Sequence, residues 1–199
     1  MKFKSFSTLA PVVLAAAAIF SIAQGALAQD APRVKFATTA GDFVVEVYPD
    51  KAPKTVENFL QYVTEKHYDG TIFHRVIENF MIQGGGFDNK FSQKPVRSPV
   101  IHEGREALAK GGPRNVVGTL AMARTNDPQS ATAQFFINVK DNAFLDPSAQ
   151  APGYTVFGKV ISGMDVVQKI KTTPTGAGGP FPSDVPKTTI SINSATLVK

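Results

Sequence analysis

Short apolar segments with an alternating pattern, separated by glycine and proline, recur along most of this chain. The first two, Val34–Thr38 and Phe43–Tyr48, flank Ala40–Gly41, and each has apolar residues at every second position. Because successive side chains of a strand point to opposite faces, this pattern predicts a β-hairpin. Further strands are predicted at Phe73–Val76, Phe80–Gln83, Thr119–Ala123, Gln134–Val139, Thr155–Val160 and Thr188–Leu197.

Helical periodicity is confined to two segments. In the first, which has Pro53 in its first turn and Gly70 beyond its end, one face is formed by Val56, Phe59, Leu60 and Val63. The second is predicted to begin at Ser162, because Ser162 and Asp165 resemble a capping box. Its shared face is formed by Met164, Val167 and Ile170. Many strands with only two helices favour an all-β barrel or sandwich over alternating βα units.

Two segments rich in glycine, proline and polar residues, Phe87–Asn115 and Thr173–Pro186, have weak periodicity and are predicted to be loops. Loops of this length inside a compact domain usually build or border a functional site. The run Gly84–Gly86, just before the first of them, lacks the lysine and hydroxyl residue of a phosphate-binding loop. We interpret this run as a turn.

The first 28 residues have the pattern of a secretory signal peptide. Lys2 and Lys4 precede an apolar run from Leu9 to Ala23, and Ala26-Leu27-Ala28 forms a small-x-small cleavage site. A membrane anchor is the weaker interpretation, because polar residues and a proline interrupt a stretch that is short for a full span. We therefore expect cleavage after Ala28 and a mature domain of residues 29–199 in the bacterial periplasm.

The composition of the mature domain narrows its function further. The chain has no cysteine, which excludes a thiol nucleophile and a thiolate zinc site and suits an oxidising compartment. Removing Lys2 and Lys4 lowers the net charge from +5 to +3, so the basic balance does not indicate a nucleic-acid partner. No second apolar span and no heptad pattern follow, so we expect a monomer that is free of the membrane after cleavage.

Two separate stretches, Phe73–Gly86 and Gln134–Asn138, carry the most specific pattern in the chain. Each reads as a short apolar strand with one polar side chain of a defined role, Arg75 in the first and Gln134 in the second. Together with the segments Gly118–Ala123, Ser130–Ile137 and Phe144–Asp146, they resemble the cyclophilin-type peptidyl-prolyl cis-trans isomerases of the exported bacterial kind. The resemblance extends over nearly the whole mature sequence.

This resemblance implies a closed eight-stranded antiparallel β-barrel capped by two α-helices, with a peptide groove on its outer face and no metal or organic cofactor. It also implies that Arg75 is the catalytic residue. The implied substrate-binding residues are Phe80, Met81, Gln83, Ala123, Arg124, Gln134, Phe136, Phe144, Leu145 and Tyr154. The apolar members would wall a proline pocket, while the two glutamines and the backbone at 123–124 would hold the flanking peptide groups.

The chemistry of proline isomerisation fits these residue types. Rotation about a peptide bond has a barrier of about 18–20 kcal/mol, and no covalent bond has to break. A catalyst therefore needs only to bind the twisted peptide preferentially. The guanidinium of Arg75 can donate to the pyramidal nitrogen and to the proline carbonyl oxygen. We expect an enzyme that speeds the folding of exported proteins by acting on their unfolded or loop X-Pro segments.

Two residues on the groove depart from the common pattern of the family. Phe144 stands where the family often has Trp, and Tyr154 stands where many members have His. Neither position has the proposed bond-twisting role, so isomerase activity should survive. The missing indole N–H predicts weak binding of cyclosporin-type macrocycles.

Each assignment has a structural alternative. The apolar groove residues could be barrel core, and one of the strand neighbours Phe135 and Phe136 should be core in any case. Arg75 alone would most often be a surface charge. At the level of function, the alternative is a proline-peptide-binding chaperone or scaffold with incidental turnover. We expect no metal site, because the three histidines lack cysteine partners and metalloprotease spacing.

Overall fold

The computed structural model describes Met1 and residues 31–198. The predicted signal peptide and its cleavage site therefore lie outside the described residues, apart from Met1. Within the described part of the chain, no helix combines the length and the apolar character needed to span a membrane.

Residues 31–198 form ten β-strands, and eight of them belong to one antiparallel sheet. In chain order the strands are β1 Arg33–Thr38, β2 Gly41–Val47, β3 Thr71–Ile77, β4 Met81–Asp88, β5 Thr119–Met122, β6 Phe135–Asn138, β7 Val156–Ser162, β8 Thr175–Gly178, β9 Phe181–Pro186 and β10 Ile192–Val198. The order across the large sheet is β10-β1-β2-β7-β5-β6-β4-β3. Strands β8 and β9 pair separately as a hairpin.

The large sheet curls until its two end strands meet. Ile72 of β3 forms an isolated antiparallel bridge with Ser191, just before β10. Two backbone hydrogen bonds flank this bridge, from Gly70 N to Ile192 O (2.8 Å) and from Phe73 N to Ile190 O (3.0 Å). The predicted mainly β, eight-stranded antiparallel fold is confirmed. Its seam is a short bridge rather than a full ladder.

Within residues 31–198, three α-helices accompany the sheet instead of the two predicted: α1 Pro53–Thr64, α2 Gly104–Ala109 and α3 Met164–Lys171. Helix α2 lies in the predicted loop Phe87–Asn115, which also contains the end of β4. Six residues give less than two helical turns, so α2 shows no usable periodicity. The prediction of an irregular loop was wrong there for that reason.

The predicted loop Thr173–Pro186 is also wrong, since it contains the β8–β9 hairpin. Strand β8 has the sequence Thr-Gly-Ala-Gly and offers no apolar alternation. Tertiary contacts hold the hairpin in place: the ring of Phe181 lies 5.2 Å from that of Phe87 and 5.4 Å from that of His74. Long-range packing, which local sequence does not reveal, therefore decides this structure.

Helix α3 begins after the predicted capping residue. Ser162 is the last residue of β7, and Gly163 is the N-cap, with φ 77° and no side-chain cap. A Cβ at position 163 would lie 2.7 Å from the Cα of Phe43. The predicted capping box was wrong because this tight strand-to-helix turn requires a left-handed residue without a side chain.

Helix α1 is capped from a distant part of the chain. The residue before the helix, Ala52, has no side chain that could accept a hydrogen bond. The buried carboxylate of Glu103 accepts instead from Lys54 N (3.1 Å), Thr55 N (2.7 Å) and Thr55 Oγ1 (2.7 Å). A negative charge at a helix N-terminus also interacts favourably with the helix dipole. This contact ties α1 to the segment that leads into α2.

The sheet separates two groups of buried apolar side chains. The inner core fills the curl and includes Phe135 and Ile137 of β6, Phe59 of α1 and Val167 of α3. The smaller outer cluster lies on the opposite face and consists of Met81, Ala121, Phe136, Leu145 and Val156. Phe135 therefore belongs to the inner core and Phe136 to the outer cluster. This division confirms that one of the two neighbours is barrel core.

Candidate functional site

The outer cluster forms the floor of a cavity of about 300 Å³. The cavity is lined by Arg75, Phe80, Met81, Gln83, Ala123, Arg124, Phe136, Phe144, Leu145 and Tyr154. The structure thus brings together every residue predicted for the site except Gln134, which lines an adjoining hollow of about 380 Å³. Such a volume is at the small end for ligand pockets and suits a single ring or side chain.

A β-bulge turns Arg75 toward this cavity. In the β3–β4 pair, Phe73 lies opposite Gly84 and Arg75 lies opposite Gln83, so His74 is an extra residue in β3. Phe73 belongs to the inner core, and regular alternation would therefore direct Arg75 inward as well. The extra residue shifts the alternation, and Arg75 emerges on the outer face beside Gln83.

A chain of side-chain hydrogen bonds orients Arg75. Its Nη1 donates to Gln83 Oε1 at 3.5 Å, and Gln83 Nε2 donates to Gln134 Oε1 at 3.0 Å. None of the salt bridges formed by the described residues involves Arg75. Neutral amide side chains thus orient the guanidinium group of Arg75, and its positive charge remains available to a ligand.

The glycine run Gly84–Gly86, which lies behind these hydrogen-bonded side chains, is part of β4. Its interpretation as a turn was therefore wrong. Gly85 has φ 85° and packs against the rings of Tyr68 and Phe135. A Cβ on Gly86 would lie 2.5 Å from Gln134 Cγ. Small residues are needed here because the Gln134 side chain crosses directly over the strand.

Aromatic rings form two walls of the cavity. The rings of Phe80 and Phe144 stack with centroids 5.6 Å apart, and the ring of Tyr154 meets Phe136 edge-on at 5.5 Å. Phe144 is 73% exposed and forms the outer rim, whereas Leu145 is buried below it. The cavity is therefore apolar at its floor and open at its rim.

The Arg124 guanidinium, unlike that of Arg75, is bonded to backbone carbonyls. Its Nη2 donates to Gly153 O (2.8 Å), its Nη1 donates to Thr125 O (2.8 Å), and its guanidinium carbon lies 4.4 Å from the centre of the Tyr154 ring. The backbone N–H of Ala123 is also engaged, since it donates to Gln134 O at 3.0 Å. Arg124 thus fixes the loop that carries Tyr154, a role that sequence reasoning missed because the contact joins distant segments.

His74, next to Arg75 in β3, faces away from the cavity and packs edge-on against Phe87 at 4.8 Å. Burial lowers the pKa of His74 to about 4, and the positive charge of Arg75 acts in the same direction. His74 is therefore neutral near pH 7. Arg75 is then the only charged member of this pair of neighbours.

The adjoining hollow shares Gln83, Ala123 and Arg124 with the cavity. Its other lining residues besides Gln134 were not predicted as site residues, and they are Gln93, Val96, Thr125, Ser130 and Thr132. These residues lie outside the β-strands and α-helices, so no periodic signal could have identified them, although Ser130 and Thr132 stand within the motif segment Ser130–Ile137. Ala121 and Val156, which belong to the outer cluster but do not line the cavity, differ, since the alternation of their predicted strands could have assigned both to the outer face.

Comparisons with known proteins identify relatives of this chain. A model of the family described as "Cyclophilin type peptidyl-prolyl cis-trans isomerase/CLD" matches residues 33–197. The peptidyl-prolyl cis-trans isomerase cyp18 of Streptomyces antibioticus is 54% identical over 168 residues, covering 83% of this chain and 98% of that protein.

Two further proteins extend the comparison. Peptidyl-prolyl cis-trans isomerase B of Escherichia coli is 53% identical over 167 residues, covering 82% of this chain and 98% of that protein. A crystal structure of a Cryptosporidium parvum cyclophilin type isomerase has a TM-score of 0.65 at 24% identity and covers 85% of this chain and 98% of that one. This last likeness supports the fold.

Proposed function

This chain belongs to the cyclophilin-type peptidyl-prolyl cis-trans isomerase family and is an enzyme of that class, and we propose that Arg75 is its catalytic residue. In this proposal Arg75 stabilises the twisted X-Pro imide without any covalent step. The observation that carries it is a guanidinium at the edge of an apolar cavity, aimed by Gln83 and free of any ion pair among the described residues.

The proposed mechanism is preferential binding of the half-rotated bond. Rotation breaks amide resonance, so the proline nitrogen becomes pyramidal and recovers a lone pair that can accept a hydrogen bond. The Arg75 guanidinium has several N–H donors in one plane and stays charged at any working pH. Donation to this nitrogen and to the proline carbonyl is stronger in the transition state than in the planar ground state, and therefore raises the rate.

The rest of the cavity would hold the peptide while the bond rotates. We assign the proline ring to the apolar floor and walls formed by Phe80, Met81, Phe136 and Leu145. Gln83, Gln134 and the backbone near Ala123 and Arg124 would position the flanking peptide groups, and Phe144 and Tyr154 would border the groove. Holding one side of the bond fixed lowers the entropy cost of reaching the rotated geometry.

We further propose that the substrates are unfolded or loop X-Pro segments of exported proteins in the periplasm. Support comes from the signal-like pattern of residues 1–28, with its lysines, apolar run and Ala26-Leu27-Ala28 site. The absence of cysteine also suits an oxidising compartment. Cell fractionation together with mass measurement of the N-terminus tests this proposal. A cytoplasmic, uncleaved chain would refute it.

Substitution of Arg75 tests the mechanism. Arg75→Ala should lower kcat/KM for a proline tetrapeptide by roughly 100-fold, which is about 2.7 kcal/mol of transition-state stabilisation, and should leave peptide affinity within about threefold. Arg75→Lys should recover little, because an ammonium cannot present two coplanar donors. The matched control is Arg33→Ala, which removes an exposed arginine paired with Glu46.

The same experiment separates catalysis from simple binding. A proline-peptide-binding chaperone or scaffold would use the cavity only to hold its ligand. Equal rates for the Arg75→Ala variant and the unaltered chain, with peptide affinity retained in both, would favour that alternative and contradict the proposal.

A further inference from the structure

A connected set of buried polar side chains lies behind the outer cluster. Its main members, Asn115, Asn138, Asn142 and Asp146, are exposed by only 0% to 7%. Among the described residues, the one buried side-chain nitrogen or oxygen without a hydrogen-bond partner is Nδ1 of His74, which lies elsewhere. Every buried polar atom in this set is therefore satisfied.

Asn138 of β6 is the centre of the set. Its Nδ2 donates to Asn115 Oδ1 (3.2 Å) and Thr119 Oγ1 (3.0 Å), and its Oδ1 accepts from Asn142 Nδ2 (2.7 Å). Asn115 in turn donates to Asp146 Oδ1 through its backbone N (2.8 Å) and its Nδ2 (3.0 Å). Position 138 must both donate and accept, which a carboxylate or an apolar side chain of the same size cannot do.

Asn142 extends the set to the wall of the cavity. Its Nδ2 also donates to Phe80 O (2.9 Å), and its backbone O accepts from Leu145 N (2.9 Å). The Leu145 carbonyl accepts in turn from Tyr154 N (2.9 Å). Phe80, Leu145 and Tyr154 come from separate segments, and their backbones are therefore linked through one buried residue, Asn142, whose side chain bonds Phe80 and whose main chain bonds Leu145.

We infer that Asn142, held by Asn138, is a positioning residue that sets the width of the cavity. The inference rests on the proposed function, in which this cavity receives the proline ring. Phe80 lies in the wall and Leu145 in the floor of the space that the ring would fill, and Asn142 bonds the first through its side chain and the second through its backbone carbonyl. Asn142 touches no substrate and acts through these two residues.

The Asn142 side chain links two parts of the cavity lining and does not merely hold one strand in place. The Phe80 carbonyl also accepts from Val139 N (3.1 Å), so the chain just before the start of β4 stays attached without Asn142. What is lost without it is the link between that strand end and the turn that carries Phe144 and Leu145. The stacked Phe80–Phe144 pair and the Leu145 floor would then shift independently. Small displacements of this kind weaken the hold on a bound ring.

The test compares Asn142→Asp with a control of similar structural cost. Asp has the shape of Asn but has no donor for Phe80 O or Asn138 Oδ1. We expect the Kd for a proline tetrapeptide, measured by titration, and the KM to rise by about tenfold, with kcat within twofold. The control is Glu103→Gln, which removes buried hydrogen bonds at helix α1, away from the cavity. Glu103→Gln should leave Kd and KM within twofold of the unaltered chain even though its unfolding midpoint falls about as far as that of Asn142→Asp.

The possible results distinguish a failure of the positioning role of Asn142 from a failure of the catalytic role of Arg75. If Asn142→Asp lowers the unfolding midpoint but leaves KM and Kd unchanged, the positioning role is overturned. If Asn142→Asp does not give a cooperative unfolding transition, the same measurements on Asn142→Ala decide, since that variant removes the donor without adding a charge. If Arg75→Ala leaves the rate unchanged, the proposed mechanism fails, whereas a slow Arg75→Ala with an unchanged Asn142 variant refutes only this inference.

Discussion

The two faces of the sheet use the same apolar residue types in different ways. On the inner face, the Phe135 ring contacts those of Phe36, Phe59 and Tyr68 at centroid distances of 5.4 Å, 6.1 Å and 5.5 Å. On the outer face, the Phe136 ring has one aromatic neighbour among the described residues, Tyr154, at 5.5 Å. Both phenylalanines are buried, so burial alone does not separate packing from binding. The difference is closure, because helices cover the inner core whereas the outer cluster opens into a cavity.

Alanine substitutions at the two neighbours should separate stability from activity. Phe135→Ala should lower the free energy of unfolding by about 3–5 kcal/mol, since it empties the centre of the inner core. Phe136→Ala should cost less, about 2–3 kcal/mol, because its ring borders a space that is already open. Urea denaturation measures both values. The isomerase rate of the folded fraction should fall more in Phe136→Ala, and the reverse order would contradict the division between faces.

Acid should destabilise the protein through His74, which the β8–β9 hairpin covers, unlike the open cavity beside Arg75. The β8–β9 hairpin covers His74, and burial lowers the pKa of His74 to about 4, from 6.5 in the unfolded chain. Between these values the unfolded state binds the proton and the folded state does not. Stability is therefore complete above pH 6.5 and falls with pH, by about 3 kcal/mol at pH 4.

Denaturant titrations across this pH range test the role of His74. The variant His74→Gln cannot take up the proton and should show a flatter dependence of stability on pH. Burial also lowers the pKa of His102, which is less buried, so His102→Gln should flatten the profile less. An unchanged slope in His74→Gln would show that other groups cause the acid loss.

The comparison of the two faces also explains what the sequence could predict. Alternation in Gln134–Val139 separates Phe135 from Phe136 correctly, because strand geometry is local. The bulge at His74 could not be predicted in this way, since simple alternation from Phe73 directs Arg75 into the inner core. Helix α2 and the β8–β9 hairpin were missed because they are short or glycine-rich and are held by tertiary contacts.

In the candidate site too, contacts between distant segments could not be predicted from the sequence. Its wall residues and Arg75 were predicted through a family resemblance whose motifs lie within strands and short turns. The clamp from Arg124 to Gly153 and the amide set around Asn138 join segments that are far apart in sequence. Each of these residues alone reads as an ordinary polar side chain. Only the fold shows that they hold the walls of the cavity.

Removing the cap of helix α1 should weaken the closure of the inner core without affecting the cavity. In Glu103→Gln, an amide NH₂ group would replace a carboxylate oxygen that accepts from the first turn of the helix. We expect a loss of about 1–3 kcal/mol in the free energy of unfolding. The control Glu57→Gln, on the exposed face of the same helix, should cost less than about 0.5 kcal/mol. A loss of isomerase activity in folded Glu103→Gln would contradict the separation of the two faces.

The smallest effect on stability is expected at the rim of the outer face. Phe144 is 73% exposed, so Phe144→Trp should change the free energy of unfolding by less than about 0.5 kcal/mol. The added indole N–H should strengthen the binding of a cyclosporin-type macrocycle by about 1 kcal/mol, or roughly fivefold, if the donor reaches a carbonyl of the ligand. Phe144→Tyr is the control, because it adds a polar hydroxyl at the far end of the same ring without placing a donor at the indole position. Titration of the three proteins with the macrocycle measures this difference, and tight binding by the unaltered chain would show that the Phe144 rim already suffices.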